Sequence, residues 1–188
     1  MISSDNLEVL AHKLHVYDID QGAWEQEGNG FEANARHVLT HLAKDVVTKD
    51  FSDEDLVRGA IAPDSIQYAL RLSRWAGVET DEILELTQKE EDIRDTAEDG
   101  LRDLPWGYAS FAGAVGVLAG NLHDLDHASA RDGAVRGTHK AMRSASRLLL
   151  NSASIQSYQY GFSITEAFDN RIAVLRRRFS IPEPTERS

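Results

Sequence analysis

Residues 62–77 read Ala62-Pro63-Asp64-Ser65-Ile66-Gln67-Tyr68-Ala69-Leu70-Arg71-Leu72-Ser73-Arg74-Trp75-Ala76-Gly77. Ile66, Ala69, Leu70 and Ser73 recur at the spacing of one helical face, while Asp64, Tyr68, Arg71 and Trp75 recur at four, three and four on another. A helix with two occupied faces either lies at the centre of its fold or at a dimer interface. Gly77 supplies a C-terminal stop. Pro63 either kinks the helix that follows the capping box Ser52-Asp53-Glu54-Asp55 or begins it anew.

Helical periodicity extends outward from this segment in both directions. Upstream, Ser3-Ser4-Asp5 caps a helix expected to reach about Leu14, with Leu7, Leu10, Ala11 and Leu14 as its apolar side. Gly22, Gly28 and Gly30 mark a loop, and residues 31–47 carry a stripe of Ala35, Val38, Leu39, Leu42 and Val46. Downstream, Thr80-Asp81-Glu82 starts a further helix, and Leu104-Pro105-Trp106-Gly107 breaks the chain before an apolar helix over 108–128. Gly133 and Gly137 are expected to separate it from a helix over 138–160. Gly161 stops that helix, and Ser163-Ile164-Thr165-Glu166 caps a last one with Ile164, Phe168, Ile172, Leu175 and Phe179 facing inward. The pattern predicts an all-α helical bundle, one domain over 1–180 with a frayed tail at 181–188. Gly77 and Gly161 each end an apolar helix before a short cap and another helix. The halves 31–95 and 108–180 therefore look like two related helical hairpins, which duplication or shared packing rules would both produce.

Composition narrows the function. The 188 residues hold 20 Lys+Arg against 31 Asp+Glu, a net charge of -11, and that average field repels a nucleic-acid backbone. General nucleic-acid binding is disfavoured. There are no cysteines, so thiolate metal sites, disulfides and cysteine nucleophiles are excluded. No apolar run is long enough to span a membrane and the first thirty residues lack a secretory pattern, which makes the cytoplasm the expected location. Residues 79–103 concentrate the acidity with eleven acids and three bases. They form either a solvated face or a surface for a basic partner.

Three groups of residues carry candidate chemistry. His37, His41 and Asp45 recur every fourth residue along one flank of the second helix, which permits joint ligation of a metal. Helical angles place Asp45 beside the Val38/Leu42 stripe, His41 further round, and His37 and Lys44 nearest solvent. A carboxylate at the edge of a core needs a cation, a donor or a metal to stay charged; the plain alternative is an ordinary His–Asp interaction beside Lys44. On the next helix Asp64 can hold a metal or hydroxyl, Arg71 a phosphate, and Tyr68 with Trp75 a planar base. The plain alternative there is Asp64 complementing a helix dipole while Arg71 pairs at the surface. His123-Asp124-Leu125-Asp126-His127 has a composition compatible with a divalent metal or with a solvated helix end. The basic cluster Arg171, Arg176, Arg177 and Arg178 complements the end of the last helix or meets the acidic segment. Phosphate loops, nucleophile elbows and HExxH are absent.

The stretches Ala35-Arg36-His37-Val38-Leu39-Thr40-His41-Leu42-Ala43-Lys44, Ala62 through Leu72, Ala76-Gly77-Val78, and Gly161 through Phe168 with Arg176-Arg177-Arg178-Phe179 together resemble MazG-like proteins of the all-α nucleoside triphosphate pyrophosphohydrolase superfamily. The resemblance implies a homo-oligomeric helical fold in which ExxE and ExxD motifs hold Mg2+ or Mn2+ and water cleaves an NTP to NMP and pyrophosphate. Here the motifs fall on His41-x-x-Lys44 and Ile61-x-x-Asp64, so only Asp64 keeps the acid. Asp45 and Glu32 are the candidate substitutes. By the resemblance Asp64 and Asp45 are the catalytic pair, with His41 a third metal ligand, and Lys44, Tyr68, Arg71 and Trp75 face the nucleotide. Two functions follow from it, a divergent magnesium-dependent pyrophosphohydrolase and a catalytically inactive nucleotide-binding or protein-interaction module in a regulatory or phage-related setting. A helical interaction protein with an acidic surface is the third expectation.

Overall fold

The computed structural model describes residues 4–21, 31–79, 82, 107–127 and 131–182. Its elements are α1 (Ser4–Gln21), α2 (Phe31–Thr48), α3 (Glu54–Leu56) continuing through a π-helical turn (Val57–Ile61) into α4 (Ala62–Trp75), α5 (Tyr108–His127), α6 (Arg131–Tyr160) and α7 (Ile164–Arg178). No strand occurs among the described residues, and the helices pack as an all-α bundle. The expected helix at 80–103 and the expected tail beyond Pro182 lie outside the described residues, Glu82 excepted.

α4 is the central helix. Ala62 through Gln67 and Ala69 through Ser73 are all buried, and α4 packs most extensively on α6 while also touching α7 and α2. Both of its faces are thus covered within one chain, which removes the need for a dimer interface to explain them. Small buried residues on the two partners, Ala62, Ser65 and Ala69 on α4 and Ala145, Ser146 and Ala153 on α6, suit close approach of their backbones. The hydroxyls of Ser65, Ser73 and Ser146 donate to carbonyls one turn back, so none is left unsatisfied in this dry layer.

Pro63 stands at the start of α4, which a π turn joins to the helical residues upstream rather than a loop. A proline in a continuous α-helix would meet the carbonyl four residues before it and lacks the N–H to bond it. The chain widens by a π turn just upstream, with the Ala62 N–H donating to the Val57 carbonyl, and proceeds. Asp53 caps the start, its side chain accepting from the Leu56 N–H at 3.1 Å.

The stripes become core. Leu7, Leu10, Leu14 and Tyr17 of α1, Ala35, Val38 and Leu42 of α2, and Phe168 of α7 are essentially inaccessible. α1 runs a further two turns past the expected Leu14, because Tyr17 continues the buried stripe and Asp18 is tied inward by Arg71 and Arg74. α6 does not begin at 138 but runs unbroken from Arg131 through Gly137. Its glycine is a packing residue: a Cβ there would sit 3.1 Å from Asn121 Nδ2 of α5. Gly77 and Gly161 end α4 and α6 alike, at φ +64 and +63, with Val78 N–H bonding the Ser73 carbonyl and Phe162 N–H that of Ser157. Phe179, expected in the core, is 51% exposed, since α7 stops at Arg178 and the chain turns away through Ser180 at φ 55.

Phe51 anchors the turn after α2. Its ring lies edge-on to Tyr108 and Phe111 with centroids 5.1 Å away in each case, and its carbonyl accepts from the Tyr160 hydroxyl at 3.3 Å. That anchoring fixes Lys49, two residues before it.

Asp18 and Arg71 form a buried pair, 4% and 3% exposed, with Arg71 Nη2 donating to Asp18 Oδ1 at 2.5 Å and Nε to Oδ2 at 3.3 Å. Asp18→Ala removes the carboxylate partner of a buried guanidinium, and urea denaturation will show a loss of about 3–5 kcal/mol. The double variant Asp18→Leu/Arg71→Met will be markedly more stable than Asp18→Ala; equal losses would show that the pair carries no such coupling.

Candidate functional site: a cation-lined cavity

α1, α2, α4 and α7 enclose a cavity of about 640 Å³, within the size range of small-molecule sites. Asp64 and Arg71 on α4, and Arg171 and Arg178 on α7, are each seven residues apart, so either wall spans about 10 Å along its helix axis. The lining falls into three layers.

The lowest layer is a closed ion-pair quartet. Arg171 donates to Asp64 in bidentate fashion, Nε to Oδ1 and Nη2 to Oδ2, both at 2.7 Å. Lys49 Nζ lies 2.8 Å from Asp45 Oδ2 and 3.2 Å from Asp64 Oδ2, so one ammonium joins both acids. Gln67 Nε2 adds a long contact of 3.4 Å to Asp64. Both carboxylates are buried, at 6% exposed each, and two cationic side chains share them. Burial works against the charge on Arg171, but the hydrogen-bonded Asp64 outweighs it and the guanidinium is held above its ordinary range. No helix dipole explains Asp64, since helical turns precede it without interruption.

The middle layer is aromatic. His41 and Tyr68 stack with ring centroids 6.0 Å apart, and His37 lies 4.6 Å from His41. Burial pushes the Tyr68 phenol well above its usual value, and the Asp64 and Asp45 charges push the same way, so it remains a protonated donor. Both imidazoles titrate below their ordinary value, His37 through burial and then the His41 and Arg71 charges, His41 through burial that outweighs Asp45. They are neutral at pH 7. The upper layer holds Tyr17, Arg71 and Arg178; Arg176 stacks over the Tyr17 ring at 5.8 Å and binds Asp20 at 2.6 Å.

Of the residues the sequence singles out, Asp45, Asp64, His41, Lys44, Tyr68 and Arg71 all line this one cavity. Trp75 does not; it packs against the core one turn beyond Arg71. Arg71 is committed to Asp18 rather than free for a phosphate. Lys49 bridges the two acids, and Glu32 pairs with Arg36 away from the cavity. Arg171 leaves the expected basic cluster to bind Asp64. Lys49, Gln67 and Tyr17 escaped sequence reasoning, and Arg171 entered it only as a member of the basic cluster, although Lys49 stands one turn after Asp45, and Arg171, Leu175 and Arg178 share a helical face.

Magnesium demands about six oxygen ligands in near-octahedral order. The quartet offers two carboxylates, each already held by Lys49 or Arg171, and Lys44 and Ile61 stand where the resemblance asks for acids. As arranged, this donor set does not fit a divalent cation. No group of three or more His, Asp or Glu able to hold a metal occurs among the described residues, the exposed His123/His127 pair included. Asp126 is instead an ion-pair partner of Arg36.

The fold and site define an all-helical protein built around a polar, cation-rich cavity. No family model, curated protein or solved structure matches the chain.

The imidazoles supply a test of the middle layer. With folded-state values below the unfolded 6.5, the unfolded chain takes up these protons first, so stability is full above about pH 6.5 and falls as the pH drops beneath it. NMR titration will give midpoints below 6.5 for both, and His41→Gln will move the His37 midpoint upward. Midpoints at or above 6.5 would contradict the packing described.

Proposed function

We propose that this chain is a nucleotide-binding module, related to the inactive branch of MazG-like proteins, that receives its ligand in the four-helix cavity. One observation carries the proposal. In a protein of net charge -11, five cationic side chains line one cavity; Asp45, Asp64 and Asp18 pair with Lys49, Arg171 and Arg71, and Lys44 and Arg178 meet no carboxylate among the described residues. Such a concentration costs solvation and self-repulsion unless an anion is its purpose. The ring-bearing middle layer offers a surface for a planar base, and the quartet offers donors and acceptors for hydroxyls. The helical bundle and the residues quoted from α2, α4 and α7 support the family assignment.

A magnesium-dependent pyrophosphohydrolase is the second reading. It requires Lys49 and Arg171 to leave Asp45 and Asp64, the two carboxylates that one ammonium now joins.

Thermal-shift measurements across nucleoside mono-, di- and triphosphates, with magnesium and with chelator, test both. The binding module predicts a raised melting temperature with at least one nucleotide, unaffected by chelator, and no pyrophosphate release. Metal-dependent pyrophosphate release that vanishes in Asp64→Ala establishes the enzyme instead. No shift with any nucleotide refutes the module.

A further inference from the structure

The charges in the cavity are not equally available. Asp45 and Asp64 take up Lys49 and Arg171, and Asp18, behind the wall, takes up Arg71. His37 and His41 add no charge at neutral pH. The remaining lining cations are Lys44 on α2 and Arg178 on α7, both exposed. Neither side chain meets a carboxylate among the described residues; Arg178 rests 5.7 Å over the Phe179 ring, which leaves its guanidinium edge open to an anion. They stand on two different helices that face one cavity. Among the described residues the surplus is therefore two positive charges, held by two long side chains, beside a quartet whose own charges cancel.

Resting on the nucleotide reading, we infer that the cavity selects a phosphomonoester of a hydroxylated small molecule, its dianionic phosphate gripped by Lys44 and Arg178 without a metal. Two cations balance one phosphate dianion. A triphosphate would bring about two further negative charges toward the Asp45/Asp64 carboxylates with no cation left to meet them, since phosphates carry -1.5 to -2 at a terminal position. The quartet beneath is neutral as a unit and rich in both donors and acceptors, which matches hydroxyls rather than a second phosphate. The same chemistry occurs in a nucleoside monophosphate and in a sugar phosphate, and the cavity's charge does not distinguish them; the ring layer does.

Isothermal titration against AMP, ATP, adenosine, ribose 5-phosphate and inorganic phosphate, in chelator, tests this. AMP is expected to bind at least tenfold more tightly than ATP and than adenosine. Lys44→Ala and Arg178→Ala, exposed changes that leave the melting temperature in place, are each expected to weaken AMP about tenfold, the loss of one charge-assisted hydrogen bond. Tighter binding of ATP overturns the inference while the nucleotide module stands. Ribose 5-phosphate binding as tightly as AMP supports the inference and removes the nucleotide. Adenosine equalling AMP, or unaltered AMP affinity in both variants, overturns it, and silence from all five compounds overturns both.

Discussion

Two buried carboxylates on neighbouring helices have to remain charged, and that requirement organises the structure. Asp64 is buried on α4, the most enclosed helix, and Asp45 is buried on α2. Removing either from water without a partner costs several kcal/mol. Lys49 and Arg171 remove that cost between them, and in doing so they tie α2, α4 and α7 together across 107 residues of sequence. The Phe51 anchor holds Lys49 at its place, while the bidentate fork orients Arg171, so the floor of the cavity is fixed by geometry rather than by charge alone.

The same economy repeats one layer higher. Asp18 accepts from Arg71 and Arg74, and Asp20 accepts from Arg176, which draws the end of α1 against α4 and α7. Of these three cations only Arg71 lines the cavity, so one acid of α1 offsets a charge of its wall. Lys44 and Arg178 are left without a carboxylate among the described residues. A strongly acidic chain can in this way present an electropositive site, because the sign of a cavity depends on which charges are paired behind its walls.

The helices themselves were legible because burial follows period. The stripes on α1, α2 and α4 are uninterrupted, and Gly77 and Gly161 announce their caps. Asp45 was legible as an acid beside an apolar stripe, and Asp64 as the acid sharing a second helical face with Tyr68, Arg71 and Trp75. Their partners were not. Arg171 lies in a run of arginines whose local context suits a helix C-terminus, and nothing local distinguishes the one that turns inward. Lys49 follows the last periodic residue of α2 and reads as loop. Trp75 shares the Asp64 face by spacing, yet it lies beyond the point where Arg71 and Asp18 close the cavity. Gly137 misled in the opposite direction, since a residue that commonly ends helices is used here to let α5 and α6 approach. Periodicity reports which face is buried; it does not report what that face is buried against.

The account stands on Lys49 and Arg171 keeping the two acids neutralised while Lys44 and Arg178 receive the ligand. A crystal structure determined with both manganese and AMP present tests this most directly. The account predicts phosphate density against Lys44 and Arg178, with Lys49 still bridging Asp45 and Asp64 and no anomalous peak between them. A manganese peak between those carboxylates, with Lys49 swung aside, would contradict it.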